Sequence, residues 1–153
     1  MSIKNFKLTI QYDGTSYSGW QIQKEQKTVQ GLLKECVEKI VKSENINLIG
    51  SGRTDAGVHS VGQVVNFKVS TNMESVDFKN AMNANLPYDI RVLDSEIVEN
   101  DFNSRFYAKK REYLYKIKKS LSPFDYKYYH LSKYDTDISL LNQCAEIILK
   151  NND

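Results

Sequence analysis

The sequence predicts an α+β fold: a mostly antiparallel sheet with helices packed on one face. Three observations predict it. Helix-like and strand-like patterns follow one another in the order βαββαββα, mixed rather than strictly alternating. Strand candidates such as Phe6 to Tyr12 alternate apolar and polar residues, as half-buried strands do. The helical stretches each carry an apolar stripe on one side. A length of 153 residues suits one domain with a real core, and residues 1–153 are expected to form it.

Phe6 to Tyr12 forms the first strand, and Asp13-Gly14-Thr15-Ser16 supplies a turn after it. Thr28 is a good N-cap for a helix that carries Val29, Leu32, Leu33, Cys36, Val37, Ile40 and Val41 on one face. Ile46 to Ile49 and Val61 to Val69 read as strands, and Ser75 is expected to cap a second helix running through Met82 to about Asn85, before Pro87. Ile90 to Val98 and Phe106 to Lys118 are further strand candidates. Asp137 to Leu149 reads as a third helix with Ile138, Leu141, Ala145, Ile148 and Leu149 turned inward.

Composition bounds the class. Apolar content of 41% and charged content of 26% are ordinary for a soluble globular protein. No apolar run approaches the roughly 18 residues that span a bilayer, and Met1 to Lys7 lacks the apolar centre of a secretion signal. Cys36 and Cys144 sit among apolar residues and are expected to be buried free thiols in a reducing compartment, which predicts a cytoplasmic location. The net charge of +2 says little, but its distribution says more: from Ser104 to Lys119 seven cations face a single acid, Glu112. Such a segment is a footprint for phosphates or a solvated edge strand guarded by lysines.

Several chemistries lack their residues. His59 and His130 are the two histidines and form no ligand-spaced cluster with cysteine, so no metal is expected. Gly50-Ser51-Gly52-Arg53 has no following Gly-Lys-Ser/Thr, a dinucleotide fingerprint is missing, and no Gly-x-Ser-x-Gly elbow occurs. The candidate that remains is Asp55, in Gly52-Arg53-Thr54-Asp55-Ala56-Gly57-Val58-His59, a Gly-flanked loop between two expected strands. Arg53 can reach the same pocket, and a nearby cation favours the ionised carboxylate. Carboxylates act as nucleophiles when a site desolvates and orients them, and a loop aspartate also serves simply to shape a turn. Tyr113, in Arg111-Glu112-Tyr113-Leu114-Tyr115, combines an aromatic ring with cations, the composition that stacks a splayed base. Taken as a single residue, a tyrosine there is better explained by sheet packing. Arg105 is a phosphate contact or an ordinary solvated arginine, whereas Trp20 and Tyr17 read as packing residues.

Together these segments resemble the N-terminal part of the TruA-type tRNA pseudouridine synthases. The resemblance runs through Tyr12-Asp13-Gly14-Thr15-Ser16-Tyr17-Ser18-Gly19-Trp20-Gln21, Thr28-Val29-Gln30, Gly52 to His59 and Gly62-Gln63-Val64-Val65. It continues through Asn83-Ala84-Asn85-Leu86-Pro87, Asp101-Phe102 to Arg105-Phe106, and Arg111 to Tyr115, over almost the whole chain. It implies a ferredoxin-like half of a pseudouridine synthase fold, with Asp55 as catalytic carboxylate and Tyr113 against the target base. Arg53, Arg105 and Arg111 would then hold RNA. The implied reaction isomerises uridine to pseudouridine in the anticodon stem-loop of tRNA, without a cofactor, in a homodimer. The later family motif that closes the cleft over the catalytic Asp is missing, so the chain is expected to be truncated before the C-terminal half and poorly active alone. A non-catalytic RNA-binding module is the rival reading, and an α+β metabolic enzyme using Asp55 as a general base is a third.

Overall fold

A computed structural model describes residues 2–135 and 137–150. It contains two compact units, Met1–Arg111 and Glu112–Asp153. In the first, strands β1 (Ile3–Tyr12), β2 (Ile49–Gly50), β3 (Ser60–Ser70) and β4 (Ile90–Val98) form one antiparallel sheet in the order β2-β3-β1-β4. Helices α1 (Val29–Val41) and α2 (Ser75–Asn85) follow β1 and β3. This split βαβ arrangement is the ferredoxin-like topology, and the expected α+β class holds.

The sheet is built on period-two alternation. Phe6, Leu8, Ile10 and Tyr12 of β1 pair across the ladder with the side that carries Val65 and Phe67, and all are buried. Their face meets Val29, Leu33, Cys36 and Val37 of α1 and Phe78 and Met82 of α2. Phe6, Phe67 and Phe78 cluster with ring centroids 4.5–5.9 Å apart. The opposite face carries Asn5, Lys7 and Thr9. The β1 register slips between Ile10 and Tyr12 against β3 and between Thr9 and Ile10 against β4. Bulges of this kind re-aim a strand end, and here they lie where β1 enters the loops of the candidate site.

Thr28 caps α1 as its type predicts, its hydroxyl oxygen accepting from Gly31 N at 3.2 Å. Two expectations in this unit need correction. Ile46 to Ile49 is not a strand; only Ile49–Gly50 joins the sheet. Side chains satisfy the rest of that backbone instead: Ile46 N donates to Glu38 Oε1 and Leu48 O accepts from Gln30 Nε2. Ser75 is the first helical residue of α2 rather than its cap, which is Glu74 without a side-chain capping bond. The Glu74 carboxylate is drawn to Lys4 Nζ at 2.8 Å instead.

In the second unit the long strand expected over Phe106 to Lys118 shrinks to β5 (Ile117–Lys118), which pairs in parallel with β6 (His130–Leu131). Alternation marks a segment that could pair but supplies no partner, and among the described residues 107–116 are in no strand. Lys118 is hydrogen-bonded to Asp125, which raises the affinity of the lysine for its proton and lowers that of the carboxylate. Helix α3 (Ile138–Lys150) forms as expected and follows Asp137, whose Oδ1 accepts from Ser139 N at 2.8 Å. Its expected inward residues Ile138, Leu141, Ala145, Ile148 and Leu149 are all exposed, because a helical stripe predicts a face to be covered, not the cover. Cys144 on this helix is exposed too, contrary to expectation, while Cys36 is buried. No helix among the described residues is long and apolar enough to cross a membrane.

Candidate active site

Asp55 lies in the loop between β2 and β3, and the loop is fixed from both sides. On the sheet side, Ser51 N donates to Val64 O at 2.8 Å, which extends the β2–β3 pairing toward the loop. Gln63 Nε2 donates to Gly52 O at 3.0 Å, while its Oε1 accepts from the Tyr12 hydroxyl at 3.2 Å. Tyr12 and Thr54 hydroxyls lie 2.9 Å apart, so the phenol ties both ends of the Gly52–Thr54 segment to the sheet. Burial raises the Tyr12 pKa, opposed by the hydrogen bonds of Thr54 and Ser60. On the other side the segment after β1 wraps the loop: Trp20 N donates to Thr54 O at 2.9 Å and Gly57 N to Tyr17 O at 3.2 Å. Val58 N closes a turn onto Asp55 O.

Glycines make that wrapping possible. A Cβ on Gly14 would stand 2.0 Å from Val58 O, and one on Gly19, whose φ is +88°, would stand 2.7 Å from Thr54 O. Tyr17 and Trp20 are buried, as packing residues should be. The Tyr17 hydroxyl donates to Asp89 Oδ1 at 2.7 Å, and burial together with this acidic partner pushes its pKa up.

The Asp55 side chain is exposed, and neither a hydrogen bond nor an ion pair engages its carboxylate among the described residues. Arg53 is also exposed, and no ion pair joins it to Asp55. It lines an open groove of about 440 Å³ with Arg105, Arg111, Trp20, Gln30 and Gly52. Arg111 is anchored there by Nε and Nη2, which donate to Ser51 O at 2.9 and 2.7 Å. Three of the sequence-predicted site residues thus share one cationic groove at the root of the Asp55 loop. Tyr113 belongs to the second unit and is 74% exposed. Among the described residues no group of three His, Cys, Asp or Glu could hold a metal ion.

Comparison with known proteins now bears on this arrangement. The tRNA pseudouridine synthase family matches residues 8–107, which take in the wrapped loop and its Arg105 neighbour. The chain belongs to that family. It is 39% identical to tRNA pseudouridine synthase A of Lacticaseibacillus casei (strain BL23), over 96% of this chain and 59% of the relative. It is 47% identical to tRNA pseudouridine synthase A of Caldicellulosiruptor saccharolyticus, over 75% of this chain and 47% of the relative. With tRNA pseudouridine synthase A 2 of Clostridium tetani the identity is 39%, over 98% and 62%. The chain therefore spans about 60% of the length of such curated synthase relatives.

Sequence reasoning missed the residues that hold the synthase loop, Tyr12, Thr54 and Gln63. One signal was present. Gln63 interrupts the apolar alternation Val65, Phe67, Val69 on the core side of β3, and a polar residue at a core position needs a partner.

Proposed function

We propose that this chain is the N-terminal, catalytic-aspartate and RNA-binding portion of an enzyme that isomerises uridine to pseudouridine in the anticodon stem-loop of tRNA. One observation carries the reading: the Asp55 carboxylate is exposed and unengaged among the described residues, on a loop fixed from both sides, and the root of that loop, Gly50 to Arg53, lines a groove with Arg105 and Arg111. Isomerisation breaks the bond from ribose C1′ to N1 and forms one from C1′ to C5. The C5 proton is lost and N1 gains one, so the composition is unchanged and no cofactor is consumed.

A carboxylate can serve by attacking C1′, by adding to the base or by taking a sugar proton. Each role needs a free oxygen held in place, which the bonds of Gly52, Thr54 and Gly57 favour. The target sugar cannot be reached inside a stack, so the nucleotide must be extruded at a cost of a few kcal/mol. Arginines on phosphates and a stack on Tyr113, worth about 1–3 kcal/mol, offset that cost. The whole enzyme works as a homodimer in the cytoplasm. The 153 residues alone turn over slowly, because an Asp55 standing in water is less preorganised than one in a closed site.

The test is tritium release from 5-tritiated uridine in tRNA, using the full-length protein with Asp55 intact and with Asp55→Asn. The reading expects turnover from the first, none from the second, and equal tRNA affinity for both. Pseudouridine formed at the same rate by the variant would overturn it. Binding without turnover by the intact protein would make it an RNA-binding module.

A further inference from the structure

Asn5 and Asn66 are buried, 0% and 2% exposed, on the face of the sheet opposite the helices. A polar residue on that face reads in sequence as solvated, so its burial needs a cause. The cause is the segment after β4. Residues 99–104 pass beneath the sheet, from the β4 edge toward the β2 edge, and meet the strands in their spatial order. Asn5 Nδ2 on β1 donates to Glu99 O at 2.8 Å and to Phe102 O at 3.1 Å. Asn66 Nδ2 on β3 donates to Phe102 O at 3.2 Å and to Asn5 Oδ1 at 3.1 Å, while Asn66 Oδ1 accepts from Ser104 N at 2.9 Å. The Ser104 hydroxyl, in a residue 2% exposed, donates to Ile49 O of β2 at 2.8 Å.

Both carboxamides therefore use both N–H donations and the oxygen, on this strap and on each other, and a satisfied buried network of that kind specifies one geometry. The residue after the strap is Arg105. A turn follows, with Tyr107 N donating to Asn103 O at 2.9 Å, and Arg111 then reaches Ser51 O. Without the strap, β4 ends at the opposite edge of the sheet from β2, and the Arg111 side chain keeps its hydrogen bonds to Ser51 O while Arg105 loses the tether just ahead of it.

We propose that Asn5, Asn66 and Ser104 are positioning residues for RNA: they pin the strap so that Arg105 and Arg111 present their charges to phosphates beside the Asp55 loop. The inference rests on the proposed RNA-binding role of the groove. Its signature is electrostatic. Each arginine that contacts a phosphate contributes about one unit to the slope of log affinity against log salt concentration.

The experiment measures tRNA affinity of the 153-residue chain between 50 and 300 mM salt, for the parent and for Arg111→Ala, Arg105→Ala, Asn66→Leu and Ser104→Ala, with a melting curve for each. Asn66→Leu keeps the side-chain size and adds no charge. The expected result is a slope shallower by about one unit for each arginine variant and by one to two for Asn66→Leu, with Ser104→Ala in between. A variant that only weakens the fold lowers the melting temperature and leaves the slope of the folded protein unchanged. Shallower slopes for the arginine variants with parental slopes for both Asn66→Leu and Ser104→Ala would sink the positioning role and leave the groove assignment standing. Parental slopes for the arginine variants would overturn the groove assignment and the inference together. Should Asn66→Leu fail to fold, Ser104→Ala, which removes one hydrogen bond, decides by the same slope.

Discussion

The hydroxyl of Tyr12 donates to the side-chain oxygen of Gln63 at 3.2 Å across the β1–β3 ladder, and through this pair the sheet grips the loop that carries Asp55. Gln63 passes the constraint to Gly52 and Tyr12 passes it to Thr54, so the three residues ahead of the carboxylate have little freedom. Replacing Tyr12 by Phe keeps the ring among its core neighbours and removes the hydroxyl's contacts with Gln63, Thr54 and Ser60. A catalytic group misplaced by about 1 Å can lose roughly a hundredfold in rate. On the proposed role of Asp55, Tyr12→Phe in the full-length protein should therefore lower kcat about ten- to a hundredfold, with KM for tRNA changed by less than about twofold. A raised KM at unchanged kcat would assign Tyr12 to RNA binding instead.

Gly14 and Gly57 should respond differently to alanine. The Gly14 Cβ would collide with Val58 backbone oxygen at 2.0 Å, so the wrapping segment or the Asp55 loop must move. At Gly57 nothing lies within 4 Å of the added carbon, and the cost is that of a left-handed residue at φ +78°, about 1–2 kcal/mol. Thermal melts should rank Gly14→Ala well below Gly57→Ala, the latter lowering Tm by roughly 2–8 °C at about 2–4 °C per kcal/mol. Equal melting temperatures would mean that the two loops separate easily.

Much of the first unit was legible because its elements carry local signals. Thr28 caps, the even positions of β1 from Phe6 to Tyr12 are apolar, and Ile90–Val98 matches its strand to the residue. What escaped depends on partners distant in sequence. Ile46 and Leu48 look strand-like, yet Glu38 and Gln30 take their backbone groups. Asn5 and Asn66 look solvated until residues 99–104 cover them. The α3 stripe shows an amphipathic helix without identifying what covers it. Of the residues that line the groove, Arg53 could be named from the dense motif at residues 52–59, and Arg105 and Arg111 from the cation-rich segment that holds them. The holding role of Tyr12 and Gln63 could not, because it arises from strand register.

The two cysteines should differ sharply toward alkylation. Cys36 is packed between the helices, its Sγ 3.8 Å from Met82 O, and burial pushes its thiol up to about 11, opposed by Lys39. Thiolate is the reactive form, so Cys36 is both shielded and protonated at pH 8, whereas Cys144 is exposed. Iodoacetamide under native conditions should give one adduct, on Cys144, and a second only in denaturant. Rapid double labelling of the native protein would show that α1 does not hold Cys36 as described.

Alkaline pH should weaken the first unit, and the sign follows from three groups. Tyr17, Tyr12 and Cys36 all hold their protons more tightly in the fold than their ordinary values of 10.0 and 9.0, chiefly through burial. A group whose folded pKa is raised contributes stability that is complete below its unfolded value and is lost as pH climbs through the folded one. The urea midpoint should thus stay level from about pH 7 to 8.5 and fall above pH 9, first through Cys36 and then through the tyrosines. Tyr17→Phe forfeits the hydrogen bond to Asp89 and should start from a lower midpoint at pH 7. It should also decline less steeply above pH 10, because one ionisation has been removed, so the two curves converge. Parallel curves for the parent and the variant would show that Tyr17 titrates alike in the folded and unfolded chain.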